Sequence, residues 1–246
     1  MRPTDFAIII PVFNHEQRVK EVILQALALE IPIYVVDDGS TDRTSEIVDS
    51  ISGITVLRHK LNLGKGAALL SGFAAAAKKS KWAISIDADG QHNPVDALKL
   101  IQAIPTAQRC LIVGKREGMG GINVPWTSKF GRKFSNFWVW VSGGPLLMDS
   151  QSGFRVYPLP ESLSLGVKSR RFQFEVEVIV KAKQQHIPVY EAPIQVVYQK
   201  GSARVSHFHP WKDFLRNSAT FSRLIINRIF KGLCRFGHSL FIIKGK

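Results

Sequence analysis

This chain has no long apolar run. No stretch of about 18 uninterrupted apolar residues occurs, so no membrane-spanning helix is expected. The longest apolar segment, FWVWVSGGPLLM (137–148), is broken by Ser142, Gly143, Gly144 and Pro145. Cysteine is nearly absent. Cys110 and Cys234 stand alone in apolar surroundings, which excludes a disulfide framework and a thiolate metal site and fits reduced thiols in a cytosolic protein. Acids are few: 19 Asp and Glu against 33 Lys and Arg leave a net charge of +14. Anionic partners are therefore expected, whether nucleotide, nucleic acid or acidic lipid. The opening MRPTDFAIIIPVFN has a short apolar run and no small-residue cleavage site, so it does not read as a signal peptide. Neither a Walker A spacing nor a GxGxxG fingerprint is present, nor any internal repeat or low-complexity linker.

What is there is a regular alternation. The 246 residues, 45% of them hydrophobic, suffice for one large domain with or without an appendage. Short apolar runs predict strands at Phe6–Ile10, Ile33–Val36, Ile54–Leu57, Trp82–Ile86 and Cys110–Val113. Between them, helical spacing predicts helices over Glu16–Leu29, from an Asp42 cap to Ser50, over Gly66–Lys79 and over Pro94–Ile104. Uninterrupted apolar strands alternating with helices imply an α/β fold, a mostly parallel sheet covered by helices on both faces. Ligands of such sheets bind beyond the carboxyl ends of the strands.

All the unusual chemistry falls at those ends. Behind the fourth strand stands SIDADGQHNP (85–94). In extended chain Asp87 and Asp89 point the same way, and two carboxylates side by side need a cation. Their oxygens, with Gln91, suit Mg²⁺ or Mn²⁺ better than zinc, and such an ion commonly shares its shell with a substrate's phosphates. A helix cap at Asp89 with Pro94 opening the helix would explain one acid, not the whole set. Asp37-Asp38-Gly39-Ser40 follows the second strand; it is partly a turn, and its acids could also meet a base or ribose. Phe13 could stack on that base or simply pack in the core. Asn62-Leu63-Gly64-Lys65-Gly66 opens a helix and lets backbone and a Lys65 charge approach a ligand.

PVFN, VVDDGSTDRT, NLGKGAALLSGF and IDADGQHNP, in this order and spacing, resemble the family-2 glycosyltransferases of the GT-A fold. DSQSGFRVY (149–157) and RFQFEVEVIVKAKQQHIPVYEAPI (171–194) resemble the subgroup containing dolichyl-phosphate mannose synthase and bacterial polyprenyl-phosphate glycosyltransferases. The likeness runs over roughly residues 5–207. It implies a GT-A, Rossmann-like sheet and an inverting, metal-dependent transfer from a nucleotide-sugar. By position it implies that Pro11, Phe13, Asp38, Gly39, Lys65, Asp87 and Ala88 line the nucleotide-sugar site. Asp87, Asp89 and Gln91 fall at the metal site, the DxD element, for Mg²⁺ or Mn²⁺. Arg116, Arg132 and Arg204 fall near phosphates or acceptor. Asp149 and Arg155 match the DxxSGFR element beside the reaction centre, and Glu177 the FxxE position. The chain departs from the family's PxYNE at Phe13, Asn14 and His15, from GSRY at Gly114–Glu117 (GKRE), and from the late phosphate segment in YQKGSARVSHF. Asp149 is the candidate base if the acceptor is a hydroxyl; a lipid phosphate would need none.

Residues 210–246 carry eight basic residues and one acid, Asp213. Wound as a helix, Phe214, Phe221, Ile225, Ile229, Leu233, Phe236 and Leu240 share one face and bases the other, with Leu224 and Phe230 spoiling the division. That pattern suits an interfacial helix on an anionic leaflet, or a helix packed on the domain with a solvated basic face. The expectation is therefore a catalytic domain at 1–209 and a membrane-associating amphipathic tail at 210–246, peripheral on the cytoplasmic face. Aromatics from Trp126 to Trp140 could face lipid or the core. The function implied is sugar transfer to a polyprenyl phosphate in bacterial-type envelope glycan synthesis. The alternatives are a hydroxyl acceptor on a glycolipid and, more remotely, a basic nucleic-acid or membrane-binding protein. Nucleic acid is not an expected partner, because no recognised motif is present and paired acids oppose a polyanion.

Overall fold

The structure is a computed structural model that describes residues 2–117, 126–196 and 216–230, the side chains of 126–128 excepted. Its centre is one seven-stranded sheet in the order β3-β2-β1-β4-β6-β5-β7. The strands are β1 Phe6–Val12, β2 Ile33–Asp37, β3 Ile54–Arg58, β4 Trp82–Ser85, β5 Leu111–Arg116, β6 Arg155–Pro158 and β7 Val189–Ile194. β1 pairs parallel with β2 and β4, β2 with β3, and β5 with β7. β6 alone runs against its neighbours, β4 and β5. The strand order reverses between β1 and β4, which opens a crevice above their carboxyl ends.

Alternation along each strand feeds two cores. Ile8 and Ile10 of β1 and Ile84 of β4 turn to one face. There they meet Val19, Val22, Ile23 and Ala26 of α1 (Val19–Leu27) and Ala97 and Leu100 of α4 (Ala97–Gln102). Ala7 and Ile9 turn to the other face. There they meet Ala68, Leu69 and Phe73 of α3 (Lys65–Ala76) and Val176, Ile179 and Val180 of α7 (Phe174–Gln184). The remaining helices are α2 (Thr44–Asp49), α5 (Trp126–Val141), α6 (Glu161–Ser164) and α8 (216–230).

The predicted elements are present, with shifted ends. The helix expected over Pro94–Ile104 starts as a 3₁₀ turn, Pro94–Asp96, because Asn93 Oδ1 accepts the Val95 N–H and proline fixes the first turn. Asp42 accepts the N–H of Thr44, the first residue of α2, but the N-cap position itself is Arg43, whose side chain makes no capping bond. Phe221 and Leu224 of α8 are each only 2% exposed, and Phe221 stacks on Trp138 of α5. Leu224, which breaks the simple apolar stripe, is thus a core residue. Ile226, Ile229 and Phe230 remain exposed. Residues 210–215 and 231–246 lie outside the described residues, as do Phe214, Leu233, Phe236 and Leu240.

Candidate functional site

The crevice is framed by loops that hold one another. Asn14, just after β1, has a positive φ of 53°. Its N–H donates to Ser40 Oγ, and its Oδ1 accepts the N–H of Thr41 at 2.8 Å. These bonds tie the first loop to the second. Pro11 is buried at the end of β1 and Phe13 is half-buried beside this junction.

The two acids of the second loop face inward. Asp37 is fully buried and accepts from Ser40 N–H, Ser45 Oγ and Arg58 Nε. Burial pushes its carboxyl up, but those donors together hold it below the ordinary range. Asp38 is 2% exposed. One oxygen takes Leu63 N–H and His59 Nδ1, at 3.0 and 2.6 Å; the other takes Gly64 N–H at 2.7 Å. His59 continues to Ser71 Oγ on α3 at 2.9 Å. The Asp38 oxygens are thus turned onto the NLGKG loop, which they shape. Gly39 sits at φ +77°, and a Cβ there would come within 2.7 Å of the Leu61 carbonyl carbon, so the two loops interlock at a point only glycine permits.

The densest charge lies above β4. Lys65, at the start of α3, places Nζ 2.6 Å from Asp87 Oδ1 and 2.5 Å from Glu175 Oε1 of α7. Burial opposes the Lys65 ammonium, but the two carboxylates outweigh it and raise its pKa. Asp87 is likewise disfavoured by burial, yet Lys65 holds its carboxyl low. Asp89 is the opposite case. Burial and the nearby Asp87 charge raise its pKa, and the Gln91 N–H donated to its Oδ1 compensates only in part. An acid left so uncompensated, with a Gln91 amide two residues on, is chemistry that a hard cation would complete. Ala88 points the other way, into the first core. His92 is 6% exposed against Phe154, with Nδ1 unpartnered and its pKa lowered by burial. Among the described residues no three His, Cys, Asp or Glu side chains are grouped to hold a metal unaided.

The second cluster surrounds Asp149. It is fully buried and bidentate to Arg116, with Nε and Nη2 at 2.7 and 2.8 Å and the Arg116 N–H at 3.1 Å. The N–H groups of Met148 and Asp149 donate in turn to Glu191. Arg132 is half-buried on α5, beside Gly131, which faces Gln151 of the same loop.

Three residues expected at the reaction centre are tied into the framework around it. Asp149 is committed to Arg116. Arg155 is fully buried and donates to the carbonyls of Ser152, Glu175 and Ser150. Glu177 is 1% exposed and accepts the N–H groups of Lys168 and Ser169 and the guanidinium of Arg223 on α8. The glutamate that reaches Lys65 is Glu175. RFQFEVE holds the FxxE spacing twice, Phe172 to Glu175 and Phe174 to Glu177, so the spacing itself was ambiguous. Helical geometry separates the two, since residues two apart do not face the same way. Arg204, His207 and His209 lie outside the described residues.

Comparison with known proteins places this geometry. The profile of glycosyl transferase family 2 matches residues 7–159. A UDP-N-acetylglucosamine–dolichyl-phosphate N-acetylglucosaminyltransferase of Methanococcus voltae is 30% identical over 79% of this chain and 86% of its own. A polyprenol monophosphomannose synthase of Mycolicibacterium smegmatis is 29% identical over 79% of this chain and 78% of its own. The fold is shared with glucosyl-3-phosphoglycerate synthase of Mycobacterium tuberculosis, crystallised with Mn²⁺, UDP and glucosyl-3-phosphoglycerate. It has a TM-score of 0.64 and 18% identity, and covers 93% of this chain and 79% of that one.

Proposed function

The chain belongs to glycosyl transferase family 2, and from that premise we propose that it moves a sugar from a nucleoside-diphosphate donor to a polyprenyl phosphate, inverting the anomeric carbon. Two relatives bear names with dolichyl-phosphate or polyprenol acceptors, which supports the acceptor class. The observation that carries the choice of nucleophile is the Asp149–Arg116 pair. A hydroxyl acceptor needs a base within reach, and the one proposed for it is buried and bidentate. A phosphate is already anionic near neutral pH and needs no such base.

The roles of the residues follow. Asp89 and Gln91 hold a divalent ion, Mg²⁺ or Mn²⁺, together with the donor's diphosphate. Such an ion would offset the charge that develops on the leaving nucleoside diphosphate. Pro11, Phe13 and Gly39 line the nucleotide pocket, whose wall Asp38 fixes from behind. Arg116, held in one orientation by Asp149, and Arg132 present positive charge to phosphates, with Arg204 a further candidate. The exposed Phe130, Phe137 and Trp140 of α5 and Ile226, Ile229 and Phe230 of α8 meet the lipid surface from the cytoplasmic side. No described helix is long and apolar enough to cross a membrane, which fits peripheral contact.

The test is direct. Radiolabelled UDP- and GDP-sugars are offered with Mn²⁺ and either a short polyprenyl phosphate or a glycolipid with a free hydroxyl, and label is followed into the lipid phase. We expect one donor to give a product labile to mild acid, lost with EDTA and with Asp89→Ala. A product stable to mild acid would favour the glycolipid hydroxyl instead. No transfer to either acceptor would overturn the reading.

A further inference from the structure

Lys65 is the side chain that this scheme leaves without a task. It stands between two carboxylates from different elements, Asp87 behind β4 and Glu175 on α7, within hydrogen-bond range of both. The position is tightly enclosed. A Cβ at Gly153 would come within 2.4 Å of Asp87 Oδ2 and 2.6 Å of Lys65 Nζ, so the chain passes the pair at a residue with no side chain. The Ser85 hydroxyl donates to the Gly153 carbonyl and fixes that passage to β4.

From this geometry we infer that Lys65 is a positioning residue, a tethered cation that occupies the space between Asp87 and Glu175 and keeps both out of the metal's coordination sphere. The inference rests on the reading that Asp89 and Gln91 hold a divalent ion. It changes the expected ligand set, in which Asp87 also binds the metal. The charges are consistent. Asp87, Asp89 and Glu175 contribute three negative charges and Lys65 one positive, so one divalent ion neutralises the cluster. Without Lys65, the Asp87 and Glu175 carboxylates would face each other uncompensated, the arrangement that recruits a hard cation. The ammonium thus holds the site to one ion and fixes the Asp87 carboxylate in one orientation. It also ties the start of α3 to α7, two walls of the crevice.

The prediction runs against simple loss. Lys65→Met should bind Mn²⁺ at least about tenfold more tightly than wild type, or take up an additional ion, because the competing positive charge is gone. Binding is followed without nucleotide, by loss of the free-ion EPR signal, with circular dichroism to establish folding. Lys65→Met combined with Glu175→Gln should return towards wild-type affinity, since one of the two freed carboxylates is then neutral. Lys65→Arg should keep affinity low. Transfer activity should fall in kcat in all three, but the Mn²⁺ affinity is the readout that a merely structural lysine would not raise. Unchanged or weaker Mn²⁺ binding by folded Lys65→Met would overturn the inference while leaving the Asp89 reading in place. Mn²⁺ binding by neither protein, at any concentration up to the millimolar range, would overturn both.

Discussion

At the scale of single residues, the acids in this chain divide by what they already hold. Asp37, Asp38, Asp149 and Glu177 are each satisfied by two or more donors and are buried. Asp89 accepts a single local N–H, and burial with the nearby Asp87 charge raises its pKa. This distinction separates framework from chemistry, and it is not visible in spacing, because all five acids sit in motifs. Asp149 gives a sharp prediction. Asp149→Asn should destabilise the protein by roughly 2–4 kcal/mol, since it leaves the Arg116 guanidinium without its buried counter-charge. The pH dependence of kcat/KM should keep its shape. Loss of the acidic limb of that profile would return Asp149 to the role of a base.

At the scale of elements, α7 does two opposite things with two glutamates. Glu175 faces the crevice, while Glu177 faces α8 and the turn before α7, at Lys168 and Ser169. Burial pushes the Glu177 carboxyl up, but the Ser169 and Lys168 N–H groups and Arg223 hold it below its usual 4.5. A depressed carboxylate contributes stability that is complete above its unfolded value and is lost as pH falls through the folded one. Thermal stability should therefore drop as pH falls below about 4.5, and Glu177→Gln should flatten that part of the curve. A melting series from roughly pH 6 to pH 3 on both proteins checks it; parallel curves would show that the tie contributes nothing.

The elements were largely legible because apolar runs such as FAIII and WAISI can only be buried strands once helices cover both faces. β6 and β7 were not foreseen as strands. β6 is four residues, RVYP, led by a buried arginine, a pattern that does not announce a strand. Its burial depends on three carbonyls supplied by other segments. The site was legible as to place and less so as to role. DADGQ marks the crevice, but only tertiary contacts reveal that Lys65 pairs with Glu175, 110 residues away.

At the scale of the whole molecule, six exposed apolar side chains stand on α5 and α8, which are joined by the Trp138–Phe221 stack and by Arg228, whose guanidinium donates to the Val141 carbonyl. The net charge of +14 favours an anionic surface for that face. Replacing Ile229 and Phe230 with Asp should leave stability within about 0.5 kcal/mol, because neither is part of the core. The same change should weaken sedimentation with phosphatidylglycerol vesicles by about tenfold or more. Equal binding by the double variant would place lipid contact elsewhere.

The docking of α8 also bears on how such enzymes can exchange parts. Charge alone suggests a seam near residue 209, with everything beyond it an interchangeable attachment. Phe221 and Leu224 sit inside the second core, and Arg223 neutralises a buried glutamate on α7. A chimaera joined at that seam would import two core residues and a counter-ion shaped for a different host. A graft that respects the fold has to keep residues 216–230 with their host.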